Sequence, residues 1–307
     1  MDLRQLRYFV GVAQLRSFSG AAAALGIAQP ALSRHMQHLE EELGTRLVHR
    51  HARGVTLTEA GELLLQRAEQ ILADVERTKA DIGSRQVQLE GSHTLGMPIP
   101  VSALLTERLF HEAPLRFPGI TLRLVEGFSA LLPEWLIGGS IDLAILYAPQ
   151  HPAIHAEPLL TESLYVAGAA HCGLEEVESC SLDHLAELPL IVPHRPHPLW
   201  DLLDRHGVTP RRHISAAAIG IMKQIAAEGK GYMLLPYATV HSAVVSGELV
   251  ARPCTPALTR EVALCHARAR PLGASQRAIQ ELVRDEVQAM VMSGAWPGAE
   301  MLPPESA

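Results

Sequence analysis

An α/β chain is predicted, with a small helical head carrying a β-hairpin, one long helix, and a larger α/β body. Three observations predict it. Apolar residues recur at helical spacing from Leu3 to Leu43. A proline-free helical pattern runs from Glu59 to about Leu89. From about Ser92 short apolar runs of strand type alternate with helical segments.

The 307 residues are 48% hydrophobic and 19% charged, a balance that builds packed cores and excludes a disordered chain. No charge-free apolar stretch reaches the roughly 18 residues of a membrane span. The start, MDLRQLRYFV, lacks the parts of a secretory signal, so a cytoplasmic protein with no membrane partner is expected. Cys172, Cys180, Cys254 and Cys265 form no CxxC and no disulfide framework; reduced thiols are expected. The net charge of −7 is uneven. Residues 1–58 hold seven Arg against four acids, and the remainder carries the excess of acid. A basic head on an acidic body suits one part that meets phosphate and one that does not.

In the head, Leu3–Leu15 shows the apolar stripe Leu3, Leu6, Phe9, Val10 and Ala13 behind the N-cap candidate Asp2. SGAAAALG reads as a second helix opening at Ser19 and stopped by Gly26. A third helix runs from about Pro30 to Leu43, with Leu32, Met36, Leu39 and Leu43 on one face and Arg34 and Gln37 pointing away. Two short helices around a Gly-containing turn form a helix-turn-helix, whose second helix enters the major groove. Gln pairs bidentately with adenine, and Arg with guanine or phosphate. The same spacing also suits a plain three-helix bundle with a solvated polar face. The next segment, HRHARGVTLTEAG, reads as a basic hairpin turning at Gly54, a wing whose Arg lie in a minor groove or on phosphate.

AAAALGIAQPALSRHMQHLEEELGTRLVHRHARGVTLTEAG closely resembles the DNA-binding signature of LysR-type transcriptional regulators. The resemblance implies that Gln29, Pro30, Ser33 and Arg34 begin the recognition helix, and that Arg50 and Arg53 serve the wing. It extends less tightly over FPGITLRLVEG, LIGGSIDLAILY and AAEGKGYMLLPY. There it implies a two-lobed α/β effector domain like a solute-binding protein, with lobe one about 92–161 plus 267–292 and lobe two about 162–266. The fold class is then a winged helix-turn-helix over 1–58, a linker helix over 59–91 and an effector-binding domain over 92–307. The expected partners are operator DNA, a small-molecule effector, RNA polymerase and a second copy of the chain, as a dimer or as a tetramer built from two dimers.

Thr58 can cap the long helix, and Leu64, Ala68, Ile71, Val75, Thr78, Ile82, Arg85 and Leu89 follow alternate spacings of four and three. That is a seam for a second helix, or a face packed on its own domain. Leu64, Ala68, Ile71, Val75 and Ile82 are its apolar members, and the resemblance implies that they dimerise.

The body reads as strand and helix in alternation, which gives mostly parallel sheets with helices on both faces. It contains no GxGxxG, GxxxxGK[ST], GxSxG or HExxH, so no enzyme and no cofactor are expected. Ligands sit outside the carboxyl ends of strands in such sheets, and helix N-termini favour anions. Mapped by position, the cleft candidates are Pro100, Val101 and Ser102; Phe128 and Ser129; His194 and Arg195, followed by Pro196; and Gly220 and Ile221. Relatives often carry Ser or Thr at the first of these places, where MPIPVS offers prolines and aliphatics beside one Ser. The expected effector is therefore a small organic acid with an apolar part, its carboxylate on Ser102, Ser129, Arg195 or the helix start at Gly220, with Arg195 as a plain surface residue the alternative. A metal on His194 and His197, or a redox pair of Cys172 and Cys180, has only this spacing behind it.

Overall fold

Asp2 sets the first helix. Its carboxylate accepts from the backbone N–H of Gln5 at 2.7 Å, and Gln5 returns a bond to the N–H of Asp2 at 2.8 Å. This capping box starts α1 (Leu3–Leu15). The computed structural model describes residues 1–51, 54–83, 89–147, 149 and 151–303, and the side chains of residues 76, 77 and 79–83 lie outside that description. The chain divides into two units, Met1–Val87 and Gln88–Ala307.

In the first unit, α2 (Phe18–Leu25) is capped by Ser17, not Ser19. The Ser17 hydroxyl accepts from Gly20 N–H at 3.2 Å, a bond that Ser19, already inside the helix, does not supply. Gly26 ends α2 with a left-handed backbone, and α3 (Gln29–Leu43) follows. Phe9, Val12, Ala21, Leu32, Met36 and Leu39 close the core, while Leu43 is exposed instead of completing the stripe. Strands β1 (Val48–His51) and β2 (Gly54–Leu57) pair antiparallel as the wing. Glu40 holds its base, one carboxylate oxygen accepting from the N–H groups of Leu47 and Val48 at 2.7 and 3.2 Å. The long helix α4 (Glu59–Gly83) begins at Thr58, whose hydroxyl accepts from Gly61 N–H at 3.0 Å; the rest of the pattern expected to run to about Leu89 crosses residues 84–88, outside the described residues.

The second unit has ten strands in the order β4-β3-β5-β11-β6-β10-β8-β9, with β12 paired to β6 and β7 to β11. One half holds β3 (Gly91–Pro98), α5 (Ile99–Arg116), β4 (Ile120–Gly127), α6 (Leu132–Gly138) and β5 (Leu143–Tyr147). The other holds β7 (Cys180–Ser181), α7 (Leu182–Glu187), β8 (Pro189–Val192), α8 (Pro198–Arg205), β9 (Arg212–Ser215), α9 (Ile219–Ala227), β10 (Tyr232–Pro236) and α10 (Tyr237–Val245). Strands β3, β4 and β5 are mutually parallel, as are β8, β9 and β10. Two long antiparallel strands, β6 (Ile154–Ala169) and β11 (Leu249–Ala267), run through both halves. The separate runs LVARPC and EVALCHA are thus one strand. Pro253 and Pro256 break its apolar pattern, and the ladder absorbs them as a register shift between Pro253 and Leu258. The expected lobe boundaries, residues 161 and 266, both fall inside these strands, the first in the middle of β6 and the second near the end of β11. Helix α11 (Ala274–Met292) returns to the first half, and β12 (Ala299–Met301) adds to β6. Each half buries one core on each sheet face.

Gly61 lies against the wing base. A Cβ there would stand 2.1 Å from the carbonyl oxygen of Leu47, which already accepts from Thr58 N–H. Gly61→Ala gains helix propensity of about 1 kcal/mol, but displacing a bonded backbone carbonyl costs about 1–3 kcal/mol. Net destabilisation is expected, as a lower unfolding midpoint of the full chain by calorimetry; a raised midpoint would show that the wing base yields freely.

Candidate DNA-binding and effector sites

The start of α3 is open to solvent. Gln29, Pro30, Arg34 and Gln37 are exposed and Ser33 is half-buried. No side chain caps this end; Pro30 has no N–H, and Ala31 N–H donates to the carbonyl of Ala28 at 2.9 Å. Gln37 donates to Glu41 at 2.8 Å. Arg50, from β1, stacks its guanidinium 3.9 Å above the Phe18 ring and donates to the Ser33 hydroxyl at 3.5 Å. It pins the wing against α2 and α3 as well as charging the surface. Arg53 lies outside the described residues.

The seam of α4 divides. Ala68 is fully buried in the head's own core, with Leu64 packed against it. α1 packs across this part of α4, so Ala68 is covered within one chain while Leu64 stays half-buried. Ile71 is 37% exposed, and Leu63, not singled out from the spacing, is 59% exposed. Val75 is half-buried; the side chain of Ile82 lies outside the described residues.

In the second unit a cleft of about 70 Å³ opens beyond the carboxyl ends of the parallel strands. Pro100, Phe128 and Ser129 line it as expected. The other candidates do not line it. Val101 is fully buried in the core between sheet and α5. Ser102 is buried and its hydroxyl is spent on Glu126 at 2.8 Å and Thr106 at 3.0 Å. His194 is exposed, and Arg195 points to solvent, chelating Asp204 at 3.0 and 3.1 Å over the ring of Trp200. Gly220 and Ile221 lie one and two residues into α9 and face out; Ile219 and Met222 face the cleft.

Sequence reasoning missed Tyr147, His197 and Arg260, which line the cleft with Pro193, Leu199 and Leu235. His197 caps α8, its Nδ1 accepting from Leu199 N–H at 3.1 Å. This leaves Nε2–H as a donor. Burial first, then the charge of Arg260, pulls its pKa down to about 4, so the ring is neutral near pH 7. Arg260 is buried; burial opposes its charge, and Tyr147 and Glu162 more than restore it. A wider cavity of about 600 Å³ adjoins, sharing Tyr147, Leu199 and Arg260 and adding Asp201, Arg205 and Glu261. Among the thiols, Cys180 faces Cys254 across β7 and β11 rather than Cys172, and burial raises Cys254 to about 12.

A winged helix-turn-helix joined through a long helix to a two-part α/β domain with an interlobe cleft defines a ligand-responsive DNA-binding regulator. Comparison with known proteins agrees. Residues 3–62 match the lysR family of bacterial regulatory helix-turn-helix proteins, and residues 86–288 match the LysR substrate binding domain. The transcriptional regulator BbuR of Bordetella bronchiseptica is 30% identical over 304 residues, 97% of this chain and 94% of that protein. The nitrogen assimilation regulatory protein nac of Klebsiella aerogenes is 31% identical, over 92% and 94% of the two chains. A full-length OxyR variant from Pseudomonas aeruginosa superposes with a TM-score of 0.68 at 25% identity, covering 94% of this chain and 95% of that one. Full-length BenM gives 0.57 at 26% identity, over 97% and 99%. The chain belongs to the LysR family: it is a DNA-binding transcription regulator with an effector-binding domain, not an enzyme. Among the described residues no helix is long and apolar enough to cross a membrane.

Because His197 is held neutral, the folded chain binds fewer protons there than the unfolded chain between about pH 6.5 and pH 4. Stability from this residue is present above 6.5 and is lost as pH falls through that window. His197→Asn keeps a capping side chain without the titration. The thermal midpoint of the wild type should fall more steeply than the variant's from pH 6.5 to 4; parallel curves would place a charged His197 in the fold.

Proposed function

We propose that this regulator reads operator DNA with α3 and the wing, and that a small ligand with an apolar body, held between the halves of the second unit, sets its output. The observation that carries the first part is the exposed, uncapped start of α3, where Gln29, Pro30, Arg34 and Gln37 stand beside Ser33 and the wing arginine Arg50; Arg53, expected to serve the same wing, completes the proposed interface. Residues 1–58 act as the DNA-binding part, 59–91 as the linker and 92–307 as the sensor, in the cytoplasm, with RNA polymerase as a downstream partner. Self-association runs through the exposed side of α4, with Ile71, Val75 and Ile82 in the seam joined by Leu63, and gives a two-fold dimer suited to two half-sites, or a tetramer. The organic acid expected from the sequence loses its cation, since Arg195 is committed to Asp204. The apolar body would meet Pro100, Phe128, Leu199, Ile219 and Met222, and the polar end Ser129 and the Tyr147–Arg260 side.

Arg34→Ala should weaken binding to an operator selected from random duplexes by about 1–3 kcal/mol, and relax preference at one base pair. Arg53→Ala should weaken all duplexes evenly and flatten the salt dependence. Gel shifts in which both variants match the wild type would remove α3 and the wing from the interface. Ile71→Glu puts an unpaired carboxylate into the seam of both chains. Light scattering should show a smaller species with weaker DNA binding; an unchanged mass would place the interface elsewhere.

A further inference from the structure

A buried polar cluster sits where β6 and β11 cross between the halves, outside every residue that the sequence singled out. Arg260 and Glu162 are direct cross-strand partners. Both oxygens of Glu162 are used. Oε1 accepts from Nε of Arg260 at 2.7 Å and lies 2.6 Å from its Nη2, while Oε2 accepts from Nε1 of Trp296 at 3.1 Å. Trp296 and Glu162 are almost completely buried, and β12 pairs Ala299 with Glu162 from the other side. The guanidinium carbon stands 3.5 Å over the ring centroid of Tyr147.

Two atoms of this cluster are buried without a hydrogen bond. One is Nη2 of Arg260, in ion-pair contact with Glu162 but off line for a bond of its own. The other is Oη of Tyr147, which makes no hydrogen bond of good geometry and has the Arg260 guanidinium as its charged neighbour. Both residues line the cleft. Buried donors in folded proteins nearly always have partners. Two orphaned donors on one cleft wall mark the place of an acceptor that a ligand brings, and the Nε2–H of His197 adds a third donor across the cleft.

The charge count then selects the ligand. Arg260 is neutralised by Glu162, His197 is neutral, and the rest of the cleft lining is uncharged. The adjoining cavity adds two acids, Asp201 and Glu261, against Arg205. We infer that the polar end taken by the cleft is an uncharged acceptor, a ketone, ester or amide carbonyl, and not a carboxylate. This rests on the cleft being the effector site. A carboxylate would be a second anion beside a guanidinium already satisfied, leaving net negative charge in a buried site. A carbonyl oxygen accepts from the same donors and leaves the site neutral.

The test uses the full chain and matched probe pairs of similar shape: acetophenone against benzoate, and 2-pentanone against butyrate. Binding is read by titration calorimetry and by the ligand-dependent rise in thermal midpoint. The ketones should bind at least about tenfold more tightly than the acids, a factor that reflects the uncompensated charge. Tyr147→Phe should weaken ketone binding several-fold by removing one donor. Glu162→Gln removes the counter-charge at constant shape and should reverse the preference towards benzoate and butyrate. Acids preferred by the wild type, with Tyr147→Phe still weakening them, would overturn the charge selection while keeping the cleft as the site. Ketone binding unaffected by Tyr147→Phe, or absent altogether, would overturn both. Circular dichroism of Glu162→Gln checks its folding, and the Tyr147→Phe result decides the proposal if that variant fails to fold.

Discussion

The sensor is built around one ion pair on two strands. Strands β6 and β11 pass through both halves of the α/β unit, so every relative movement of those halves bends this two-stranded ladder. The register of the ladder shifts between Pro253 and Leu258 and again between Val262 and Ala263, and Arg260 with Glu162 lies between the two. Removing one partner of a buried pair costs about 3–5 kcal/mol, and Trp296 fixes the acid so that the arginine has one place to be. The crossing is therefore irregular in backbone register and fixed in its charge pairing. An effector shifts the balance of open and closed forms only by binding them unequally, and donors on the hinge strand and on α8 meet a common acceptor only when the halves are close.

Opposing electrostatic effects act in the cleft. The N-termini of α5 and α9 reach it through Ile99, Pro100 and Ile219, and each favours an anion by about 0.3–1 kcal/mol. Pro100, lacking an N–H, takes one donor from the first of them. Against this stands the effective penalty for an uncompensated buried ion, on the order of several kcal/mol. The penalty outweighs the helix ends, and Glu162 sets it, although that residue touches the cleft only through Arg260.

The head and the alternation of the body were legible because they are written in local pattern. Asp2, Gly26 and the stripe Leu32, Met36 and Leu39 signal their roles within a few residues of chain. The cleft was legible only in part. Pro100, Phe128 and Ser129 follow strand ends and could be placed by topology. Arg260 could not: it lies inside a strand, its partners stand at residues 147 and 162, and the acid is held in turn by residue 296. A periodic pattern says which face a residue takes, not which distant residue it meets. Arg195 failed for the complementary reason. It sits at the right chain position, but Asp204, nine residues on, offers both carboxylate oxygens in solvent. The seam of α4 is degenerate, since one apolar stripe serves an own-chain core at Ala68, with Leu64 beside it, as readily as a partner helix further along.

That degeneracy bears on how a signal reaches DNA. Ala68 and Leu64 make the first turns of α4 part of the head's core, and Glu40 and Arg50 lock the wing to α3 and α2. Recognition helix, wing and helix start form one packed body with no joint among them. Close-packed interiors pass on displacement rather than absorb it. In the dimer proposed above, a turn of α4 therefore carries α3 and the wing together, and changes the spacing and angle of the two heads while leaving the surface of each head intact. Under the DNA interface proposed above, regulation of that kind alters which half-sites are spanned and leaves the contacts of Arg34 and Gln29 unchanged.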